Sequence, residues 1–174
     1  STPKPSSAAS DVYKRQYKDG ADTEARIGMA YASHYAALSY GGAGLNAVHG
    51  IAYAVAGLTH ATHGSTNAVM LPYVLDALRT ERPAELLEVA SLFGIETKDP
   101  VAAVAQVPVV IRNLIGELGI PTNLREFGVG REHLGDLTRD ALAVTRLAKA
   151  FPVADVPATY ARIIDAAWHG KLGD

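Results

Sequence analysis

The most informative stretch of this chain is LNAVHGIAYAVAGLTHATHGSTNAVMLPYV, residues 45–74. It lies within a 49-residue segment, Ile27–Leu75, that contains no Asp, Glu, Lys or Arg. Four of the six histidines lie in that segment: His34, His49, His60 and His63. Histidine is a common metal ligand and titrates near neutral pH. Several histidines in an uncharged, Ala/Gly-rich segment indicate a buried polar site rather than a solvated helix face.

Helix-starting and helix-ending residues surround this stretch. Asp22 is a candidate N-cap for a helix that runs to about Tyr40 and ends at Gly41-Gly42. The next helix, about residues 44–58, is apolar nearly all round, which predicts burial on every side. A turn over residues 59–64 then leads to a helix over about 65–78 that contains Pro72.

The rest of the chain is also predicted to be helical. Proline and glycine positions predict helices over about residues 83–94, 100–118, 131–150 and 157–170. No alternating apolar and polar run is long enough to predict a strand. The fold class is therefore all-α.

The composition excludes several functions. The chain has 174 residues, 48% of them hydrophobic and 20% charged, as expected for one soluble globular domain. The net charge of −2, with scattered Lys and Arg, gives no nucleic-acid-binding pattern. The absence of cysteine excludes disulfides and thiolate metal sites, and it fits a cytoplasmic protein. Glycines, Asn46 and histidines interrupt the uncharged segment before about 18 apolar residues accumulate, so no membrane span is expected.

The spacing of His49 and His63 is ambiguous by itself. The nine helical residues after His49 rise by about 13 Å, so the chain must fold back if the two imidazoles are to meet. Gly57 and Gly64 would permit such a reversal. Spacing alone favours two hydrogen-bonded core histidines over a pair of metal ligands.

The motifs around the two histidines change that balance. Val48-His49-Gly50, then His63-Gly64, then Asn67-Ala-Val-Met-Leu-Pro72 resemble the C-terminal helical domain of the iron-containing (group III) alcohol dehydrogenases. Weaker similarities follow in Leu118-Gly-Ile-Pro-Thr122 and in the closing helix. The resemblance covers Tyr17 to Asp174.

This resemblance implies a fold and a metal site. The chain would be the helical bundle of a dehydroquinate synthase-like fold, with the N-terminal α/β nucleotide-binding domain missing. His49 and His63 match two of the family's metal ligands, for Fe²⁺ or sometimes Zn²⁺. The other two, in an Asp-x-x-x-His motif, have no counterpart before His49. The full-length enzyme would oxidise a small-molecule alcohol to an aldehyde or ketone with NAD(P), and would be a homo-oligomer. This chain alone is expected to bind metal poorly and to lack dehydrogenase activity.

Tyr53 departs from the family pattern. Many members have a second histidine four residues after the first, near the nicotinamide. Tyr53 lies on the same helical face as His49, and its phenol could hydrogen-bond or relay a proton as a catalytic residue. Because a phenol is a poorer base than imidazole at neutral pH, a hydroxy-acid or other specialised oxidoreductase is an alternative. A glycerol dehydrogenase-like or dehydroquinate synthase-like relative in the same superfamily is a second, although the Asn67-Ala-Val-Met-Leu-Pro72 run fits the iron-type branch better. A non-catalytic helical interaction module is another.

The other polar candidates are expected to be structural. His34 is expected to pack among tyrosines in the core and rim, and His60 to be exposed in a turn. His133 and His169 lie near helix ends. The glycines at 41, 42 and 44 link two helices, so they do not form a nucleotide loop. A solvated face is expected from Asp136, Arg139 and Asp140.

The N-terminal residues look foreign to the domain. Ser1–Ser10 is a Pro/Ser/Ala run that predicts disorder. The next six residues, Asp11-Val-Tyr-Lys-Arg-Gln16, resemble the translation of a transposon adaptor used to prepare sequencing libraries. We therefore expect residues 1–16 to be a disordered, non-native segment and residues 17–174 to form the domain.

Overall fold

The regular structure of this chain is helical throughout the part described. The computed structural model describes residues 5–173, with side chains from residue 12, and contains no strand in that range. This confirms the all-α prediction. The helices are α1 (Pro5–Lys18), α2 (Thr23–Ala43), α3 (Ala47–Thr59), α4 (His63–Ala77), α5 (Pro83–Leu92), α6 (Pro100–Glu117), α7 (Leu134–Ala143), α8 (Thr145–Lys149) and α9 (Val156–His169), with a 3₁₀ turn at Arg131–His133.

Aspartate side chains begin three of these helices. Asp22 accepts a hydrogen bond from the backbone N–H of Ala25 at 3.0 Å, which confirms it as the N-cap of α2. Asp99 and Asp155 cap α6 and α9 in the same way. Each satisfies a backbone donor that has no partner within its helix.

The N-terminal segment differs from our expectation. The predicted disorder of residues 1–4 lies outside the described residues, but residues 5–18 form α1. Disorder is therefore wrong for residues 5–16. Pro5 has a backbone angle suited to a first helical turn, and the Ala, Lys, Arg and Gln that follow are good helix formers. α1 packs closely on α2, since a Cβ added to Gly28 would lie 2.9 Å from a Val12 methyl. The foreign origin of this segment stays a prediction.

Two helix boundaries also differ from prediction. Gly41 and Gly42 remain inside α2, which ends at Gly44, where φ is 84°. Glycines weaken a helix without forbidding it, whereas a left-handed φ does end it. The single helix predicted over residues 131–150 is divided at Val144 into α7 and α8.

The main core lies where α3, α4, α7 and α9 meet. Ile51 and Val55 of α3 are fully buried there. Their neighbours in this core include Val69, Met70 and Tyr73 of α4, Leu137 of α7, and Tyr160, Ile163 and Ile164 of α9. A second apolar cluster joins α5 to α6, and α4 packs against α3, α6 and α9. This central position of α4 fixes its first turn beside α3.

The uncharged segment is only partly covered. α3 buries one face, but Tyr53 on another face and Leu58 near the C-terminal end of the helix are 43% and 40% exposed. The prediction that α3 is buried on every side is therefore wrong, because the described helices pack against one side only. His34 is exposed on α2, so its predicted core packing is also wrong. No helix in the described range is both long and apolar enough to cross a membrane.

Candidate metal centre

The structure brings His49 and His63 together. His49 is the third residue of α3 and His63 is the first residue of α4. The chain reverses over residues 60–62, where His60 has a left-handed backbone with φ of 56°. The reversal therefore depends on His60, because neither Gly57 nor Gly64 has a positive φ. As a result the two imidazole centroids lie 5.3 Å apart.

Tyr53 completes a cluster of three rings. It follows His49 by one helical turn, and their ring centroids are 6.1 Å apart. Its ring stacks on that of His63 with a centroid distance of 5.7 Å and an interplanar angle of 25°. We call His49, Tyr53 and His63 the ring cluster. The structure thus places all three residues singled out by sequence in one small region.

Asn67 is a further member of the site that sequence reasoning used only as a motif residue. Its Nδ2 donates to the backbone carbonyl of His63 at 2.9 Å. The same nitrogen lies 3.2 Å from each ring nitrogen of His63. The sequence signal for this contact was the spacing of His63 and Asn67, since residues four apart on a helix are neighbours.

The environment of His49 favours its neutral form. Burial lowers the pKa of His49, and the neighbouring imidazole of His63 lowers it further. A neutral imidazole has a lone pair for a metal ion, which a protonated one lacks. No described side chain hydrogen-bonds to the His49 ring. His49 is half-buried and His63 is exposed, so the two histidines do not lie in the core; their assignment as metal ligands stays a prediction.

The donor set fits a divalent ion in part. Two nitrogens bound to one tetrahedral ion at about 2.1 Å lie about 3.4 Å apart, which imidazoles 5.3 Å apart between centroids can satisfy. The Oδ1 of Asn67 is buried without a hydrogen-bond donor, so the site has an unused acceptor. Among the described residues, no group of three His, Cys, Asp or Glu stands close enough to hold a metal. Among the described residues, His49 and His63 could therefore supply at most two ligands of a metal site, not a full set.

Two cavities adjoin the ring cluster. One, of about 520 Å³, lies between α3 and α7 and has Tyr53, Gly57 and Leu58 on one side. Its other side carries His133, Asp136, Arg139 and Asp140. A second cavity of about 390 Å³ is lined by residues that include His49, Gly64 and Asn67.

The remaining candidates stand largely as predicted. Asp136, Arg139 and Asp140 are exposed and form ion pairs, which confirms a solvated face, although their position beside Tyr53 was not foreseen. His60 is exposed in its turn, as expected. His169 is the last residue of α9, near the negative end of the helix dipole, and its ring packs edge-on against Trp168.

The fold and the histidine pair define a class: an all-helical domain in which two adjacent helices bring two imidazoles together. The C-terminal model of the Fe-containing alcohol dehydrogenase family matches residues 8–164. The chain therefore belongs to the Fe-containing alcohol dehydrogenase family, as the resemblance predicted. The match begins within the segment that we interpreted as foreign.

Individual relatives agree with this assignment. Long-chain-alcohol dehydrogenase 1 of Geobacillus thermodenitrificans (strain NG80-2) is 31% identical over 161 residues, covering 91% of this chain and 41% of the relative. The NAD-dependent methanol dehydrogenase of Bacillus methanolicus is 33% identical over 128 residues, covering 71% and 33%. The crystal structure of a 1,3-propanediol oxidoreductase superposes with a TM-score of 0.79 at 27% identity, covering 93% of this chain and 45% of that one. The chain thus spans less than half the length of these relatives.

Proposed function

We propose that this chain is the metal-binding helical domain of an NAD(P)-dependent, iron-type alcohol dehydrogenase, and that His49 and His63 are two of its metal ligands. The carrying observation is the 5.3 Å approach of two imidazoles from different helices. Fe²⁺ is the expected ion and Zn²⁺ the alternative, because imidazole suits both. The reaction would interconvert a small alcohol and its aldehyde or ketone.

Each residue has a distinct part in this proposal. When bound, a divalent ion supplies Lewis acidity that favours the alkoxide of an alcohol, and NAD(P) supplies the hydride acceptor. His49 stays neutral at neutral pH because its pKa is lowered, so it does not have to lose a proton before it binds a cation. Tyr53 is exposed at the edge of the ring cluster, where its hydroxyl can hydrogen-bond a substrate or pass on a proton.

The cavity beside Tyr53 supports a small-molecule substrate. Its volume of about 520 Å³ lies within the roughly 300–1,000 Å³ that is usual for such sites. Its lining is partly polar, with His133 and the ion-paired Asp136 and Arg139, and partly apolar, with Leu58. Homo-oligomerisation of the full-length enzyme and a cytoplasmic location stay predictions.

Zinc titration of the 174-residue chain tests the ligand assignment. Affinity for Zn²⁺ is measured by competition with a chromogenic chelator for the wild type, His49→Ala and His63→Ala. Each substitution should weaken binding about tenfold or more, because one of two ligands is lost. His60→Asn is the matched control, since asparagine tolerates the left-handed backbone and this histidine lies outside the ring cluster. Tyr53→Phe should also leave Zn²⁺ affinity unchanged.

Equal affinities in the wild type and both alanine variants would refute the assignment. The purified chain is expected to contain little iron, since its described residues provide only two of the ligands. Stoichiometric iron in the purified chain would show that the ligand set is complete in a way that we have not proposed.

A further inference from the structure

We propose that Asn67 is a positioning residue for His63: it holds the imidazole by one ring face and so leaves both ring nitrogens free in the ring plane for a metal ion. This inference rests on the proposed function, because it concerns how one proposed ligand is oriented. Asn67 lies one helical turn after His63 on α4 and lines the same cavity as His49.

The distances place the amide nitrogen over the ring. The Nδ2 of Asn67 lies 3.2 Å from Nδ1 and 3.2 Å from Nε2 of His63. A point equally far from both nitrogens at that distance would overlap ring carbons if it lay in the ring plane. The amide nitrogen therefore lies above a ring face, as an N–H contact to the π system. The in-plane lone-pair directions, which a metal ion uses, are not occupied by the amide.

The orientation of the amide is fixed by the backbone. Its Nδ2 donates to the carbonyl oxygen of His63 at 2.9 Å. Exchanging the amide oxygen and nitrogen would place two acceptors against each other, so the orientation is determined by the hydrogen-bond network. The Oδ1 consequently faces a buried position without a donor. A buried acceptor without a partner is unfavourable for folding, and its presence here favours a role other than stability.

Little else restrains the His63 ring. His63 is exposed at the first position of α4, and no other described side chain hydrogen-bonds to its ring nitrogens. Tyr53 stacks nearly parallel to the ring, and Asn67 lies over a ring face. An exposed imidazole without these contacts would exchange among rotamers. Removing the amide should therefore reduce the fraction of molecules in which His63 faces His49.

Substitution of Asn67 tests this role in the 174-residue chain. Zn²⁺ affinity is measured by chelator competition for Asn67→Leu and Asn67→Ala, together with His63→Ala and the double variant Asn67→Leu/His63→Ala. We expect Asn67→Leu to weaken Zn²⁺ binding about tenfold, the lower end of the loss usual when an outer-shell partner is removed. In the His63→Ala background, Asn67→Leu should cause no further loss.

Ser65→Ala is a matched control in the same turn. The Ser65 hydroxyl lies 2.8 Å from that of Thr62 and is not bonded to His63. Its loss should change the melting temperature but not Zn²⁺ affinity. NMR of the metal-free protein gives a second measurement, in which the Cε1–H resonance of His63 should shift in both Asn67 variants and stay unchanged in Ser65→Ala.

The outcomes separate the two proposals. If His63→Ala weakens Zn²⁺ binding but Asn67→Leu and Asn67→Ala do not, the positioning role is refuted and the ligand assignment stands. If His63→Ala also has no effect, the ligand assignment itself fails. Weakening by Ser65→Ala equal to that by Asn67→Leu would show a general loosening of the turn and would also overturn the positioning role.

Discussion

Two buried tyrosines should respond in opposite ways to loss of their hydroxyl groups. Tyr73 and Tyr160 are 2% and 0% exposed and belong to the same core. The Tyr73 hydroxyl donates to the carbonyl of Thr122 at 2.6 Å, whereas the Tyr160 hydroxyl is buried without a partner. Tyr73→Phe should lower the free energy of unfolding by about 1–2 kcal/mol, because a hydrogen bond is lost and an acceptor is left unpaired.

Tyr160→Phe should instead raise the free energy of unfolding by about 1–2 kcal/mol, since the desolvation cost of an unpaired hydroxyl, about 1–3 kcal/mol, disappears. Urea denaturation measures both variants against the wild type, and equal m-values would show that the unfolded states are comparable. The melting temperatures should then differ in opposite directions by about 2–8 °C.

Destabilisation by Tyr160→Phe as large as that by Tyr73→Phe would refute this reasoning. It would mean that an internal water bonds the Tyr160 hydroxyl, with the nearby backbone carbonyl of Ala141 as a candidate second partner. The free energy of unfolding measured at alkaline pH gives an independent check. Burial raises the pKa of Tyr160 from 10.0 to about 12, so its contribution to stability is present below pH 10 and lost as the pH rises towards 12. Tyr160→Phe should remove that loss.

Three further predictions concern the surroundings of the site. Gly50→Ala should destabilise the chain more in the wild type than in Tyr160→Phe, because the added Cβ would lie 3.2 Å from the Tyr160 hydroxyl, and a double-mutant cycle of denaturation curves measures the coupling. An NMR titration should place the pKa of His49 below 6.5, and the stability that depends on its neutral form should be present above pH 6.5 and lost as the pH falls through the lowered pKa. His63→Ala should raise the pKa of His49 only part of the way back to 6.5, because burial is the larger cause of its lowering. Asp22→Ala should reduce the helical circular dichroism signal at neutral pH, whereas Asp22→Asn, which keeps an acceptor for the Ala25 N–H, should not. Because the pKa of Asp22 is lowered, mainly by that N–H, the wild type should lose the stability that the ionised cap adds as the pH falls below 3.8.

Local signals in the sequence predicted the helices well where a cap or a proline marked a boundary. Asp22 begins α2 as expected, because a capping side chain acts within three residues of its own position. The end of α2 was wrong, since Gly41 and Gly42 only weaken a helix and the left-handed backbone at Gly44 ends it. The disorder predicted for residues 5–16 was wrong because packing against α2 adds to their own helix propensity.

The candidate site was predictable in its members but not in its geometry. His49, Tyr53 and His63 were identified from their motif, whereas the left-handed His60 that brings α3 and α4 together is a rare conformation outside glycine. The contact of Asn67 with His63 followed a helical spacing that many uninvolved pairs share. The cavity between Tyr53 and Asp136 joins helices that are distant in sequence, and no local pattern indicated it.

The sequence by itself determined the helical class, the family and the chemical types of the proposed ligands. These depend on backbone propensity, caps and residue identity, which act locally or are written directly in the motif. Only the tertiary structure decided that the imidazoles of His49 and His63 lie 5.3 Å apart, that α3 has an exposed side, and that an unpaired amide oxygen lies beside them. Such features depend on how distant segments pack, because burial and side-chain convergence are properties of the assembled core rather than of any one helix.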